Sequence, residues 1–117
     1  MFVTDKCGNI TVTQGDSGVL VQTLWEDEEM TTLFRLSEGE KIVFSLRPLV
    51  GTEPILVKET SSQNADGSVM FLFTSQETAA LGRGQYVWDT ALCFENDDTQ
   101  KNTYAGGGKI KRTFTTV

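Results

Sequence analysis

Gly15-Asp16-Ser17-Gly18 is the stretch of this chain that reads most like the setting of a serine nucleophile. A serine hydroxyl attacks only when a neighbouring base takes its proton. The chain has no His. That removes the usual general base, the usual proton shuttle near neutral pH and the commonest metal ligand together. The tetrapeptide therefore reads as a polar β-turn between two strands, on the turn chemistry of Gly, Asp and Ser. The acidic runs Glu26-Asp27-Glu28-Glu29 and Glu95 to Asp98 offer oxygens for calcium. Neither has the alternating Asp-x-Asp-x-Asp-Gly order of a dedicated loop, and both read as solvated turns. Cys7 and Cys93 lack metal-ligand spacing and have no His companions, so a zinc site is not expected. In a reducing compartment the two are small buried residues, whereas in an exported protein one disulfide could join two strands. The expectation is a protein without catalytic residues, cofactor or metal.

A chain of 117 residues is one domain by its length, 1–117, and can bury a core without disulfide staples. Hydrophobic residues make up 38% of it, including seven Phe and two Trp, which places it with folded rather than disordered chains. Its formal net charge is −6, with one local basic cluster at Lys109, Lys111 and Arg112. Nucleic acid is an unfavourable partner for such a surface. No apolar run is long enough to span a membrane, and MFVTDKCGNI lacks the pattern of a signal segment, so synthesis in the cytoplasm is expected.

The elements that would position any site are almost all strands. Ile10, Val12 and Gln14 alternate with Thr11 and Thr13. Val19 to Trp25 follows, with Val19, Val21 and Thr23 on one face and Leu20, Gln22 and Leu24 on the other. Thr31 to Leu36 reads as a short strand. Lys41 to Arg47 puts Ile42, Phe44 and Leu46 inward. Ile55 to Glu59 is a strand, Asp66-Gly67 is a strong turn signal, and Val69, Phe71 and Phe73 form an inward face. Glu95 to Lys101 reads as a polar loop. Gly106-Gly107-Gly108 precedes a last strand, Lys109 to Val117, with Ile110 and Phe114 inward and Lys109, Lys111 and Thr113 outward. Lysines there would also blunt an exposed edge. Phe2 and Val3 would fray or lie on a partner.

The densest signal is SQETAALGRGQYVWDTAL, residues 75–92. Ser75 can cap a helical turn, and Ala79, Ala80 and Leu81 favour helix. Gly82 and Gly84 can end it, and the strand Tyr86 to Phe94 follows. Together these predict an all-β fold: an antiparallel Ig-like β-sandwich of about seven to nine strands, with one short helical turn near 75–81.

In order along the chain, these pieces resemble the N-terminal β-sandwich domain of upper baseplate proteins from phages and prophages of Gram-positive bacteria. The matching features are the strand and turn Ile10 to Ser17, with Gly15, Asp16 and Ser17 in the turn, and Glu38-Gly39-Glu40 leading into Lys41 to Arg47. A Thr-x-x-Leu-x-x-Gly-x-Tyr-x-Trp-Asp unit follows, made of Thr78, Leu81, Gly84, Tyr86, Trp88 and Asp89, and the chain closes on Gly106 to Thr116. Larger members of that family continue into linker helices and further domains, so the roles of those parts do not carry over. The resemblance implies a non-enzymatic structural module of a virion, docking through protein–protein contacts with other tail or baseplate proteins, as a homo-oligomer. It implies no catalytic residue, cofactor, nucleic acid or membrane.

The aromatics admit a second reading. Tyr86 and Trp88, two apart on a strand, share a face. With Trp25 and Tyr104 they could stack on sugar rings, making a glycan-binding or adhesin-like Ig module on a bacterial surface. Against this, Leu92 and Phe94 continue the same face, and large aromatics dominate cores, so Trp88 is expected in the core with Asp89 turned outward.

Overall fold

The computed structural model describes residues 1–26, 29, 31–49, 51–94, 97–103 and 112–117, with side chains for all of these except 94 and 97–103. The expectations for Gly106 to Gly108, Lys109, Ile110, Lys111 and Tyr104 lie outside the described residues, as do those for Asp27, Glu28, Glu95 and Asn96.

Nine strands and one helix follow in order: β1 Phe2–Thr4, β2 Ile10–Val12, β3 Gly18–Thr23, β4 Glu40–Arg47, β5 Leu56–Thr60, β6 Ser68–Phe73, α1 Ser75–Ala80, β7 Gly84–Phe94, β8 Asp97–Thr103 and β9 Arg112–Thr116, counted among the described residues. The fold is mostly β, as expected. Seven strands form one sheet in the order β1-β2-β9-β7-β4-β5, with β8 also paired to β7. β3 and β6 form a separate two-stranded ribbon. The large sheet is mixed, which corrects the purely antiparallel expectation. β2 runs parallel to β9, with Ile10 opposite Phe114 and Val12 opposite Thr116. A parallel pair needs a long connection between its strands, and almost the whole chain lies between β2 and β9.

Alternation explains which side each strand buries. In β4, Ile42, Phe44 and Leu46 are fully buried, and in β6 so are Val69, Phe71 and Phe73. Rings join the large sheet to the ribbon: Phe44 lies 5.7 Å from Phe71 and 5.2 Å from Phe73, and Phe73 lies 5.8 Å from Phe114. Each such ring contributes about 1.5–3 kcal/mol by leaving water.

Further expectations are corrected in detail. The end of the chain does not fray: β1 pairs with β2, and Phe2 stacks on Phe73 at 5.5 Å. Gly18 makes room for it, since a Cβ there would sit 2.1 Å from the Phe2 ring. Residues 31–36 hold one bridge, Trp25 to Leu33, rather than a strand. There the Gln63 side chain takes the place of a partner strand, donating to Phe34 O at 2.7 Å and accepting from Leu36 N at 2.9 Å. Residues 97–101 of the stretch expected as a loop, Glu95 to Lys101, belong instead to the strand Asp97–Thr103 on β7. The helix, Ser75–Ala80, falls on the expected stretch, but its cap differs. Thr74, not Ser75, is its N-cap, in a capping box with Glu77. Leu81 ends it in extended backbone, so neither Gly82 nor Gly84 is needed as a left-handed terminator. Finally, no disulfide joins Cys7 and Cys93, and Cys7 is exposed rather than buried.

Candidate functional site

The structure draws most of the resemblance motif to one end of the molecule. Gly15-Asp16-Ser17 is a turn, and Thr78 on α1 sits against it, fully buried. The Thr78 hydroxyl accepts from Gly15 N at 3.1 Å and donates to Asp16 O at 2.7 Å. Gln14 reaches the last turn of the helix and donates Nε2 to the carbonyls of Ala79 and Leu81, at 3.0 and 2.7 Å. Those carbonyls would otherwise lack intrahelical partners. Leu81 plugs the core. The Tyr86 hydroxyl donates back to Gly82 O at 2.6 Å, and Thr116 Oγ donates to the same carbonyl at 2.6 Å. Gly84 N in turn donates to Thr116 Oγ at 3.0 Å. Every one of these bonds ties chain to chain.

Two residues further along β7, the surroundings change. Trp88 is 5% exposed and belongs to the core. Phe44 stacks on it at 5.4 Å, its Nε1 donates to Gly8 O at 3.0 Å, and the Arg112 guanidinium lies over its ring at 5.2 Å. Asp89 faces the other side of the sheet and pairs with Arg47 at 3.3 Å. Trp25 is half-buried and does not share a surface with Tyr86, whose hydroxyl is already engaged. The described aromatics thus do not make one open stacking platform on β7.

Trp25, Trp88 and Arg112 do meet, around a cavity of about 180 Å³. The loop Thr4 to Gly8 and strand β3 form its other walls. Arg112 is 5% exposed, and burial pushes its pKa down. Its Nε donates to Cys7 O at 3.2 Å, while its Nη1 is buried without a hydrogen-bond partner. Gly8 permits this packing twice over. Its φ is +86°, and a Cβ there would lie 2.4 Å from Arg112 Nε. Asp5 beside it accepts from Asn9 N and Cys7 N, both at 2.9 Å, and these bonds, led by the one from Asn9, hold its carboxyl below the ordinary range. Reasoning from sequence missed this site by reading Arg112 as part of an exposed basic cluster. The available signal was its register: Arg112 stands two residues before Phe114, on the same inward face.

A second feature lies on the outer face of the β3–β6 ribbon. Val19 faces Leu72 across the strands, and Val21 faces Met70. All four are between 43% and 63% exposed. Among the described residues no three His, Cys, Asp or Glu side chains stand together as a metal site, and no helix is long and apolar enough to cross a membrane. Comparison with protein-family models, curated proteins and solved structures found no significant match.

Proposed function

We propose that this chain is a non-enzymatic assembly module: an Ig-like β-sandwich that joins a phage or prophage tail or baseplate through protein–protein contacts. The observation that carries the reading is the apolar strip Val19, Val21, Met70 and Leu72. Four large apolar side chains paired across two strands form a patch, and contiguous exposed patches mark interaction surfaces. Among the described residues the ribbon that carries them pairs with no strand of the large sheet, so backbone edges accompany the patch.

The Ig-like part has two supports. The order β9-β7-β4 with β5 beyond it, and β3 with β6 opposite, matches the division of Ig domains into a G-F-C sheet and a B-E sheet. Tyr86, near the start of β7 and bonded to Gly82 O, matches the tyrosine corner of that fold. The parallel β2–β9 pairing stands outside the purely antiparallel scheme.

The test is the mass in solution by light scattering across concentrations, on the native chain and on V19E/L72K. Opposite charges facing across the ribbon keep the strands compatible while removing the apolar strip. Concentration-dependent or stable association that the double variant abolishes supports the reading. A monomer at all concentrations that also fails to bind tail proteins of its own phage sinks it.

A further inference from the structure

We propose that the cavity lined by Arg112, Trp25 and Trp88 binds a singly charged carboxylate. This goes beyond the assembly reading and rests on a different part of the molecule.

Arginine stays protonated in proteins and carries five N–H donors in a rigid fork. Burying that fork is costly unless its donors are met. Here only the Nε–H has a protein acceptor among the described residues, and no described carboxylate lies within ion-pair distance of it. Nη1 is left without a partner. Such a group in a native interior calls for an explanation, and the Arg112 side chain that carries it lines a cavity several times larger than one water needs. A planar carboxylate matches the guanidinium fork as a pair of parallel hydrogen bonds. The indole of Trp88 already holds the guanidinium from one side at 5.2 Å, which fixes its orientation before any ligand arrives. That preorganisation lowers the cost of binding.

Charge selects the ligand further. Lys6 and Arg112 contribute two positive charges to the lining, and Asp5 contributes one negative. The sum, one positive charge, suits a single carboxylate better than a doubly charged phosphate. A free organic acid and the acid group of a sugar share this chemistry. Trp25, half-buried at the same cavity, offers a sugar ring a flat apolar face.

The experiment follows tryptophan fluorescence and thermal melting of the full chain with sodium acetate, sodium glucuronate and glucose, at ionic strength matched with sodium chloride. A saturable change with a carboxylate is expected, with a dissociation constant of about 1 mM for so small a ligand, and none with glucose. Equal responses to acetate and glucuronate assign the site to free acids. A response to glucuronate alone assigns it to acidic sugars. In Arg112→Met the response should fall at least about tenfold, while the melting temperature without ligand holds or rises, because an unpaired buried charge has gone. If that variant does not fold, Arg112→Lys, which keeps the charge and loses the fork, should weaken binding by a similar factor. Silence toward both carboxylates, an equal response to glucose, or an unchanged response in the Arg112 variant overturns the proposal.

Discussion

Thr78 and Arg112 are both buried polar side chains that reach across the molecule to a loop near the start of the chain, and they differ in how completely they are bonded. Thr78 donates to Asp16 O and accepts from Gly15 N, which satisfies the hydroxyl in both directions. Arg112 donates from Nε and leaves Nη1 with nothing. A fully bonded buried network rigidifies and specifies a fold, whereas a partly bonded one is a cost that selection keeps for some other reason. By that measure the end of the molecule built on α1 is scaffold. The cavity beside Trp88 is where a ligand would find something to do.

The sharpest way to break the comparison is to remove one hydroxyl. Thr78→Val keeps the shape, strands Gly15 N and Asp16 O, and should cost about 2–3 kcal/mol in chemical denaturation. Arg112→Met should have the opposite sign or none. If both variants lose the same stability, the two sites are not different in kind, and Arg112 is scaffold too. Tyr86→Phe comes next. It removes the bond to Gly82 O, but Thr116 still donates to that carbonyl, so the loss should be about 1 kcal/mol. A loss as large as that of Thr78→Val would mean that the corner depends on the tyrosine alone.

The two sites were unequally legible in the sequence, and for physical reasons. Strict alternation in Lys41 to Arg47 and Val69 to Phe73 announces one buried face, and the structure buries it. The Thr78, Tyr86 and Trp88 unit was visible because a helical turn, glycines and aromatics have strong local preferences. What stayed hidden depends on distant partners. β8, with the sequence DDTQKNT, has no apolar residue to announce a strand, and only its pairing with β7 makes it one. Residues 31–36 lost their strand to a side chain, Gln63, far along the chain. Thr74 displaced Ser75 as the cap because Glu77 stands three residues after Thr74, the spacing a capping box requires. Arg112 was hidden by its type, since a residue so rarely buried without a partner is read as surface.

The smallest effect belongs to Glu77, and it sharpens the scaffold side of the comparison. Burial works to raise its pKa. Hydrogen bonds from Lys58 and from the Thr74 backbone outweigh that, and the carboxyl is held below its ordinary value. A carboxyl depressed in the folded state adds stability that is fully present above its unfolded pKa and is lost as pH falls through the folded one. Stability should therefore drop on acidification, from about pH 4–5 downward. Glu77→Gln preserves an acceptor for the Thr74 N–H, so the capping box survives, but it removes the charge that faces Lys58. The variant should lose about 0.5 kcal/mol at neutral pH, as expected of a largely screened pair. Its denaturation midpoint should also fall less steeply with acid than that of the native chain. Parallel acid profiles for the two would show that the Lys58 pairing does not hold the carboxyl down, and would leave the helix anchored by Thr74, Thr78 and Gln14 alone.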